Sequence, residues 1–299
     1  MVYHIPALLE ESVEGLNIDT SGIYVDATFG GGGHTKEILK RLGPDGRVVA
    51  FDQDDDAVAN VPDDKRLLFL GQNFRFLKNN LRYNGIDNIN GLLADLGVSF
   101  HQFDEEERGF SFRGDGRLDM RMNRNSGRDA SMLINNMEAD ELADVLYYYG
   151  ELTNARQIAA RIIAAREKDP INTVGELLNL LGGFAPRGRE HKFFAKVFQA
   201  LRIEVNGEIE ALREMLSQAL EMLLPGGRLS IITYHSLEDR LVKNFMRTGN
   251  FEGRENKDFY GNVSTPFKLI NRKGTVPSDE EIERNNRARS ARLRVAEKI

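Results

Sequence analysis

Over the first hundred residues, apolar segments of β type alternate regularly with helical segments, and this pattern restricts the fold more than any other feature of the sequence. Helices are predicted from His34 to Leu42 and from Asn73 to Gly85, each ended by a glycine. The predicted strands are Ile23–Thr28, Arg47–Asp52, Leu67–Gly71 and Ile89–Gly97. Because apolar strands that alternate with helices form parallel sheets covered on both faces, we expect the α/β class with a mostly parallel sheet.

Beyond the fourth predicted strand the alternation stops and helical patterns take over. Thr173 and Glu176 have the spacing of a capping box, which predicts the start of one helix. The other predicted elements are helices at 138–149, 154–168 and 195–224 and a strand at 228–236, after the breaker Pro225-Gly226-Gly227. A β-type segment therefore returns only after a long helical region.

This helical region predicts the domain organisation. A structureless loop of such length inside a compact domain is implausible. We therefore expect residues 104–200 to form a small all-helical domain, inserted for substrate recognition, and residues 1–103 and 201–299 to form one discontinuous domain.

Composition excludes several classes of protein. With 299 residues, 41% of them apolar, the chain can fill the core of one large domain or two ordinary ones. No apolar run approaches the roughly 18 residues that span a bilayer, and the N-terminus lacks a secretory pattern. The absence of cysteine excludes disulfides, thiolate nucleophiles and cysteine-ligated zinc. We expect a cytoplasmic protein with no membrane partner and no metal site.

The net charge of −6 is unevenly distributed. Basic residues exceed acidic ones by three in 107–128 and by four in each of 187–202 and 283–299, which leaves −17 for the rest of the chain. Such asymmetry is typical of a protein with one face that meets polyphosphate. For each stretch, a solvated charged surface remains the alternative.

A run of glycines separates the first predicted strand from the first helix, in Asp26-Ala-Thr-Phe-Gly-Gly-Gly-Gly-His34. Glycines there let a ligand approach the backbone and the unpaired N–H groups of a helix start. The dinucleotide pattern Gly-x-Gly-x-x-Gly fails at Lys36, and the phosphate loop Gly-Lys-Ser/Thr is absent. S-adenosylmethionine remains, with Asp26 as a carboxylate for its ammonium group, directly or through water. A plain tight turn is the structural alternative.

Three aspartates lie at or near the ends of predicted strands of the sheet. Asp26, Asp52 and Asp95 would line one crevice, because ligands of open parallel sheets lie beyond the carboxyl ends of the strands. Asp52 has the position of a carboxylate that grips ribose hydroxyls. Phe74 is a candidate for the adenine ring, although its helical spacing with Leu77 suits a core residue nearly as well.

The residue types present restrict the group that receives a methyl group. Methylation at pyrimidine C5 requires a cysteine thiolate, which this chain lacks. An exocyclic amine needs only an acceptor for its N–H groups and alignment with the donor. Asp95, in Ala-Asp-Leu-Gly-Val-Ser, is the first candidate acceptor. The Pro-Pro-aromatic run of DNA amino-methyltransferases is absent there, and Leu96-Gly97-Val98 stands in its place.

Aromatic and basic residues interleave after the fourth strand, as in surfaces that stack unpaired bases and bind phosphates. The set comprises Phe100, Phe103, Phe110 and Phe112 with Arg108, Arg113, Arg117 and Arg121. A loop pinned by buried phenylalanines is the alternative.

The string His235-Ser-Leu-Glu-Asp-Arg240 follows the last predicted strand. The hydrolase pattern Gly-x-Ser-x-Gly is absent, and His235 with Glu238 supplies too few ligands for a metal. Ser236 with Asp239 has helix-start spacing. Because the string lies near the predicted crevice, His235 remains a candidate substrate contact.

Several long and unusual strings carry a family resemblance. They are His4-Ile-Pro-Ala-Leu-Leu9, Asp26 to His34, Asp95-Leu-Gly-Val-Ser99, Glu107-Arg-Gly-Phe-Ser-Phe112, Leu118-Asp-Met-Arg-Met122, Tyr149-Gly-Glu151, Phe198-Gln-Ala-Leu-Arg-Ile203, His235 to Arg240 and Arg287-Ala-Arg-Ser290. With them the chain resembles, nearly end to end, the bacterial S-adenosylmethionine-dependent 16S rRNA cytosine-N4 methyltransferases (the RsmH/MraW family).

The resemblance implies a class I (Rossmann-like) methyltransferase fold with an inserted helical domain and S-adenosyl-L-methionine as the cofactor. It implies methylation of a decoding-site (P-site) cytosine at N4 in 16S rRNA of the small ribosomal subunit. The implied cofactor contacts are Gly32, Gly33, His34, Asp52, Phe74, Asp95 and Gln102. The candidate substrate contacts are Arg108, Phe110, Arg113, Arg121 and His235.

Two other functions stay open at this point. One is a non-catalytic assembly factor that holds ribosomal RNA with its basic stretches, and the other is a DNA amino-methyltransferase. The acidic strand ends favour an enzyme over the first, and the missing Pro-Pro-aromatic run disfavours the second.

Overall fold

The computed structural model describes residues 6–98, 102–103, 105–125, 127–257, 260 and 263–299. Contacts divide the chain into two compact units. The sheet unit comprises Met1–Gly97 with Ile209–Ile299, and the helical unit comprises Val98–Glu208. The helical unit thus begins at Val98 where the sequence predicted residue 104, and it ends at Glu208 where the sequence predicted residue 200. Its role in substrate recognition stays a prediction.

The sheet unit contains a seven-stranded sheet in the order β3-β2-β1-β4-β5-β9-β8. The strands are β1 Ile23–Asp26, β2 Arg47–Phe51, β3 Leu67–Leu70, β4 Ile89–Asp95, β5 Leu223–Thr233, β6 Asn256–Lys257, β7 Val263–Ser264, β8 Phe267–Leu269 and β9 Arg292–Lys298. Strands β1 to β5 are parallel, and β9 is antiparallel to both β5 and β8. The predicted mostly parallel sheet is confirmed, and the first four strands begin at the predicted residues.

The helices cover the sheet and build the helical unit. They are α1 Leu9–Gly15, α2 Gly33–Arg41, α3 Leu77–Tyr83, α4 Ala130–Asn136, α5 Ala139–Tyr148, α6 Ala155–Arg166, α7 Val174–Leu181, α8 Glu190–Asn206, α9 Glu208–Met222, α10 Ser236–Thr248 and α11 Asp279–Arg284. Among the described residues, no helix is long and apolar enough to cross a membrane.

Each unit has its own apolar core. In the sheet unit, Ile38 and Leu39 of α2 pack with Tyr24, Val48 and Leu93 from three adjacent strands. In the helical unit, the buried faces of α4 to α8 converge on one cluster. The Thr173–Glu176 capping box predicted for α7 is confirmed, because each side chain accepts the backbone N–H of the other residue.

The predicted single helix over 195–224 is wrong. The chain forms two helices, α8 and α9, which separate at Gly207, where φ is +58°. This left-handed conformation favours glycine, because a residue with a Cβ is strained there. A residue in this conformation commonly ends a helix.

The strand predicted at 228–236 begins earlier, at Leu223, and ends at Thr233. Pro225-Gly226-Gly227, predicted to precede it, lies within β5, where the pairing with β4 shifts register between Ile89 and Gly91. A local irregularity of this kind lets a strand accommodate proline and glycine.

Candidate active site

The carboxyl ends of three adjacent parallel strands bring Asp26, Asp52 and Asp95 to one edge of the sheet. Asp26 ends β1 and pairs in register with Ala50 of β2 and Leu93 of β4. Asp52 directly follows β2, and Asp95 ends β4. Burial is the main cause that raises the pKa of Asp52 and of Asp95, and the negative charge of Asp26 raises both pKa values further. Asp26 therefore interacts electrostatically with both carboxyl groups. This edge is where ligands of open parallel sheets bind.

Asp26 is completely buried and serves the structure. Its Oδ2 accepts a hydrogen bond from the Thr35 hydroxyl at 2.6 Å, and its Oδ1 accepts one from the Thr28 N–H at 3.1 Å. Burial raises the pKa of the carboxyl to about 6. Asp26 therefore ties the end of β1 to the first turn of α2. Its burial argues against direct contact with a ligand ammonium group, while the predicted contact through water stays a prediction.

Asp52 holds the glycine loop. Its Oδ2 accepts the Gly30 N–H at 2.7 Å, and its Oδ1 accepts the Asp54 N–H at 2.9 Å. Burial is the main cause that raises the pKa of this carboxyl to about 6. The residue is still partly exposed, so each oxygen keeps a second lone pair for a ligand. Its predicted contact with ribose hydroxyls stays a prediction.

The glycine loop is open at Gly30 and closely packed at Gly32 and Gly33. Gly30 and Gly32 have φ of +51° and +74°, a region where side chains are strained. A Cβ on Gly32 would lie 2.8 Å from Cζ of Phe29, whereas a Cβ on Gly30 would meet open space. Because α2 begins at Gly33, its first N–H groups have no acceptor within the helix. The loop thus presents donors to a carboxylate or similar anionic group.

His34 lies in the first turn of α2 and is buried. One edge of its ring bonds to the backbone of Ala7, and burial lowers its pKa to about 4, so the ring is neutral. Its Nε2 is buried without a hydrogen-bond partner among the described residues. A buried polar atom of this kind is costly unless a ligand or water satisfies it. The loop therefore fits a polar ligand such as the methionine end of S-adenosylmethionine.

Asp95 is only partly buried and has a free oxygen. Its backbone N–H donates to the Thr28 hydroxyl at 2.7 Å, and its Oδ1 accepts the Tyr234 hydroxyl at 2.8 Å. Within the described part of the chain, Oδ2 accepts no hydrogen bond. Burial raises the pKa of this carboxyl to about 7. An ionised Asp95 can accept an N–H hydrogen bond from an amine.

The other predicted cofactor residues fall in both units. Phe74 is partly exposed and opens a short 3₁₀ turn that the Asn73 side chain caps. The Asn73 amide also donates to Gln53 at 2.8 Å, which ties Phe74 to the segment after Asp52. Gln102 is buried in the helical unit. The cofactor contacts of Phe74 and Gln102 stay predictions.

In the helical unit, the loop over residues 105–125 is held in place by its own aromatic and basic residues. Arg108 is buried, donates to the carbonyls of Arg121 and Met122, and lies over the Phe110 ring, which is also buried. Arg121 forms a bidentate pair with Asp119 at 2.8 and 2.7 Å. These contacts favour the structural alternative for Arg108, Phe110 and Arg121.

Four more members of that interleaved set are described, and one is not. Phe103 is exposed and Phe112 is half-buried. Arg113 is exposed and remains a candidate substrate contact. Arg117 pairs with the buried Asp129 at 2.6 Å. Phe100 lies outside the described residues.

His235 is the N-cap of α10. Its ring faces the N–H of Glu238, while the Glu238 carboxylate accepts the N–H of both Tyr234 and His235. The helix-start signal was therefore predicted one residue too late, at Ser236 and Asp239. Asp239 instead pairs with Arg294 at 2.7 and 2.9 Å. The substrate contact of His235 stays a prediction.

Sequence reasoning missed three hydroxyl groups of this site. Tyr234 binds Asp95, Thr28 binds the backbone of Asp95, and Thr35 binds Asp26. Tyr234 directly follows β5, whose last five residues are buried. Its partner is 139 residues away, so sequence spacing could not reveal the pair.

The arrangement defines the class of protein. A parallel sheet in the order β3-β2-β1-β4-β5, extended by antiparallel β9, carries a glycine loop after β1 and carboxylates after β2 and β4. This is a class I methyltransferase that uses S-adenosylmethionine.

The comparison with protein families identifies the group. The chain matches the MraW methylase family over residues 1–299 and belongs to that family. A protein of Parabacteroides distasonis named ribosomal RNA small subunit methyltransferase H is 58% identical over 298 residues, which are 99% of this chain and 98% of its own. A protein of Bacteroides thetaiotaomicron with the same name is 57% identical, over 100% of this chain and 98% of its own.

A solved structure of an rRNA methylase from Streptococcus thermophilus is 13% identical to this chain, aligned over 100% of this chain and 99% of its own, with a TM-score of 0.42.

Proposed function

We propose that this enzyme transfers a methyl group from S-adenosylmethionine to the N4 amine of a decoding-site (P-site) cytosine in 16S rRNA of the small ribosomal subunit. The names of the relatives support the RNA and the subunit. The observation that carries the choice of an amine is Asp95, which holds one carboxylate oxygen open for an N–H group at the ligand edge of the sheet. The reaction would take place in the cytoplasm, where ribosomal subunits are found.

The reaction needs alignment more than covalent help. When bound, S-adenosylmethionine supplies an electrophilic methyl group, whose transfer leaves S-adenosylhomocysteine and releases one proton. The glycine loop and Asp52 would hold the cofactor, since together they offer N–H donors and carboxylate acceptors. Asp95 would accept an N4–H hydrogen bond, which concentrates electron density on the nitrogen and orients its lone pair. The released proton passes to water.

A basic face of the helical unit would bind the RNA backbone. Phe112 packs on the His191 ring, with centroids 4.8 Å apart, and joins the loop that carries Arg113 to the start of α8. We call Arg113, Arg187, Arg189 and Lys192 the basic face; all four are exposed. Among the described residues, none of the four side chains is held in an ion pair, unlike Arg117 and Arg121. They are therefore available for phosphates.

Labelled methyl donor tests the proposal directly. We expect the purified protein to transfer label to small ribosomal subunits and the labelled nucleoside to have the mass and chromatographic retention of N4-methylcytidine. Free 16S rRNA and duplex DNA are the matched alternative substrates. Label on duplex DNA only would favour a DNA amino-methyltransferase. RNA binding without transfer, together with no S-adenosylmethionine binding, would favour an assembly factor.

A further inference from the structure

We propose that Tyr234 is a positioning residue for methyl transfer: its hydroxyl fixes Oδ1 of Asp95 so that Oδ2 is the oxygen presented to the acceptor amine. This inference rests on the proposed function, in which Asp95 accepts an N–H group. Tyr234 itself need not touch the substrate or the cofactor.

The topology brings Tyr234 to Asp95. Strands β4 and β5 are parallel neighbours, and Asp95 pairs in register with Ile232. Tyr234 follows β5 by one residue, so its side chain leaves the sheet at the same edge as Asp95. The hydroxyl donates to Oδ1 at 2.8 Å. A hydroxyl that donates to an ionised carboxylate forms a charge-assisted, directional hydrogen bond.

The tyrosine ring is held against bare backbone. An ideal Cβ on Gly97 would lie 3.3 Å from Cδ2 of Tyr234, so the ring lies close to Gly97. Gly97 also has φ of +111°, which side chains rarely adopt. The glycine two residues after Asp95 therefore leaves space for the tyrosine ring, which explains why a glycine occurs at this position.

The backbone of Tyr234 is anchored as well. Its N–H donates at 3.0 Å to Oε2 of Glu238, the buried carboxylate of the α10 cap. Ring, hydroxyl and backbone are thus each fixed by a different partner. A side chain constrained in this way can hold another group with little loss of conformational entropy on binding.

Asp95 gains a defined orientation from this contact. A carboxylate at the end of a strand rotates easily about χ2, because that torsion is broad. With Oδ1 bound to Tyr234, the rotation is restricted, and Oδ2 has no partner among the described residues. Placement of an acceptor matters for rate, since a misplacement of about 1 Å can cost about a hundredfold.

The charges around the pair set its pH behaviour. Asp26 and Glu238 face Asp95, and with burial they raise its pKa to about 7, while the hydrogen bond from Tyr234 lowers that pKa. Burial, Asp95, Glu238 and Glu281 raise the pKa of Tyr234 well above its ordinary value, so the hydroxyl stays protonated and donates. Asp95 must be ionised to accept an N–H group. Activity should therefore rise with pH, with its midpoint near the Asp95 pKa of about 7, and level off above that pH.

The Tyr234→Phe variant tests the inference, because it keeps the ring on Gly97 and removes only the hydroxyl. We expect kcat on small ribosomal subunits to fall about tenfold to a hundredfold, with KM for S-adenosylmethionine within about twofold of wild type. The acid limb of the pH profile should move to higher pH. Tyr83→Phe, at a tyrosine that is 90% exposed, is the matched control and should resemble wild type.

A second measurement reads the contact without turnover. Carboxyl NMR should show a higher pKa for Asp95 in Tyr234→Phe than in the wild type, at equal thermal stability. An unchanged kcat and an unchanged Asp95 pKa would overturn the inference, as would a loss explained entirely by weaker cofactor binding. Nucleoside mass identifies the wild-type product in the same assay. A product other than N4-methylcytidine would reject the proposed function, whereas the comparison of Tyr234→Phe with wild type would remain readable.

Discussion

At the scale of single residues, the three aspartates of the site share one sheet edge but differ in exposure and in what their oxygens bind. Asp26 is fully buried, Asp52 accepts two backbone N–H groups, and Oδ2 of Asp95 accepts no hydrogen bond from the described residues. Asp26 therefore braces the strand and Asp52 shapes the glycine loop, while the proposed function gives Asp95 the contact with the acceptor amine.

Removal of the Asp52 carboxylate should weaken cofactor binding. In Asp52→Ala, the Gly30 and Asp54 N–H groups lose their acceptor, and a charged hydrogen bond contributes about 1.5–3 kcal/mol. We expect the Kd for S-adenosylmethionine, from isothermal titration, to rise at least about tenfold. The control is Asp63→Ala, at an exposed acid that, like Asp52, precedes β3 in the sequence. This variant should bind S-adenosylmethionine as the wild type does. Equal affinity in Asp52→Ala would show that Asp52 does not hold the cofactor loop.

The positions and roles of site residues were predictable where the local sequence determines them. Asp52 and Asp95 could be placed because each lies at the carboxyl end of an apolar strand. The buried state of Asp26 was not predictable, since it depends on Thr35 closing over it from the next helix. The role of Tyr234 depends on two strands that are neighbours in the sheet but far apart in sequence.

At the scale of secondary structure, starts were more predictable than ends and interruptions. Side-chain caps such as Asn73 and Thr173 mark helix starts in the sequence itself. The separation of α8 from α9 at Gly207 could not be read off, because amphipathic periodicity continues on both sides of that glycine. Pro225 predicts a break before the strand, but the pairing of β5 with β4 extends across this residue.

Gly207→Ala should destabilise the protein. Its backbone is left-handed, and a residue with a Cβ is less stable there by about 1–2 kcal/mol. We expect that loss in the free energy of unfolding from urea melts followed by circular dichroism. The control is Gly183→Ala, where φ is ordinary and the Cβ would meet open space, so stability should stay the same or rise slightly. Equal stability of Gly207→Ala and Gly183→Ala would mean that the helix break does not depend on glycine.

At the scale of the whole molecule, the protein has a net negative charge, and only some of its basic side chains are available to bind RNA. Of the three basic stretches predicted to meet RNA, the last uses some of its cations within the sheet unit. Arg294 pairs with Asp239, and Lys298 donates to the carbonyls of Leu220 and Leu223. The net charge of a stretch could be read from sequence, but the partners of each cation could not.

The basic face should control affinity for the ribosomal subunit without affecting chemistry. In the double variant Arg189→Ala with Lys192→Ala, we expect a higher KM for small subunits, a kcat near wild type and a salt slope reduced by about one unit per lost phosphate contact. The matched control is Arg156→Ala with Arg161→Ala, at two exposed arginines of α6. Identical KM and salt dependence in the two double variants would remove the basic face from the RNA interface.

The most direct test of the central claim is a mass map of modified cytosines in 16S rRNA from cells that lack this protein. The proposed activity predicts that one N4-methyl signal, at a decoding-site cytosine, disappears and returns with the wild-type protein but not with Asp95→Ala. An N4-methyl signal that persists unchanged in those cells would contradict it.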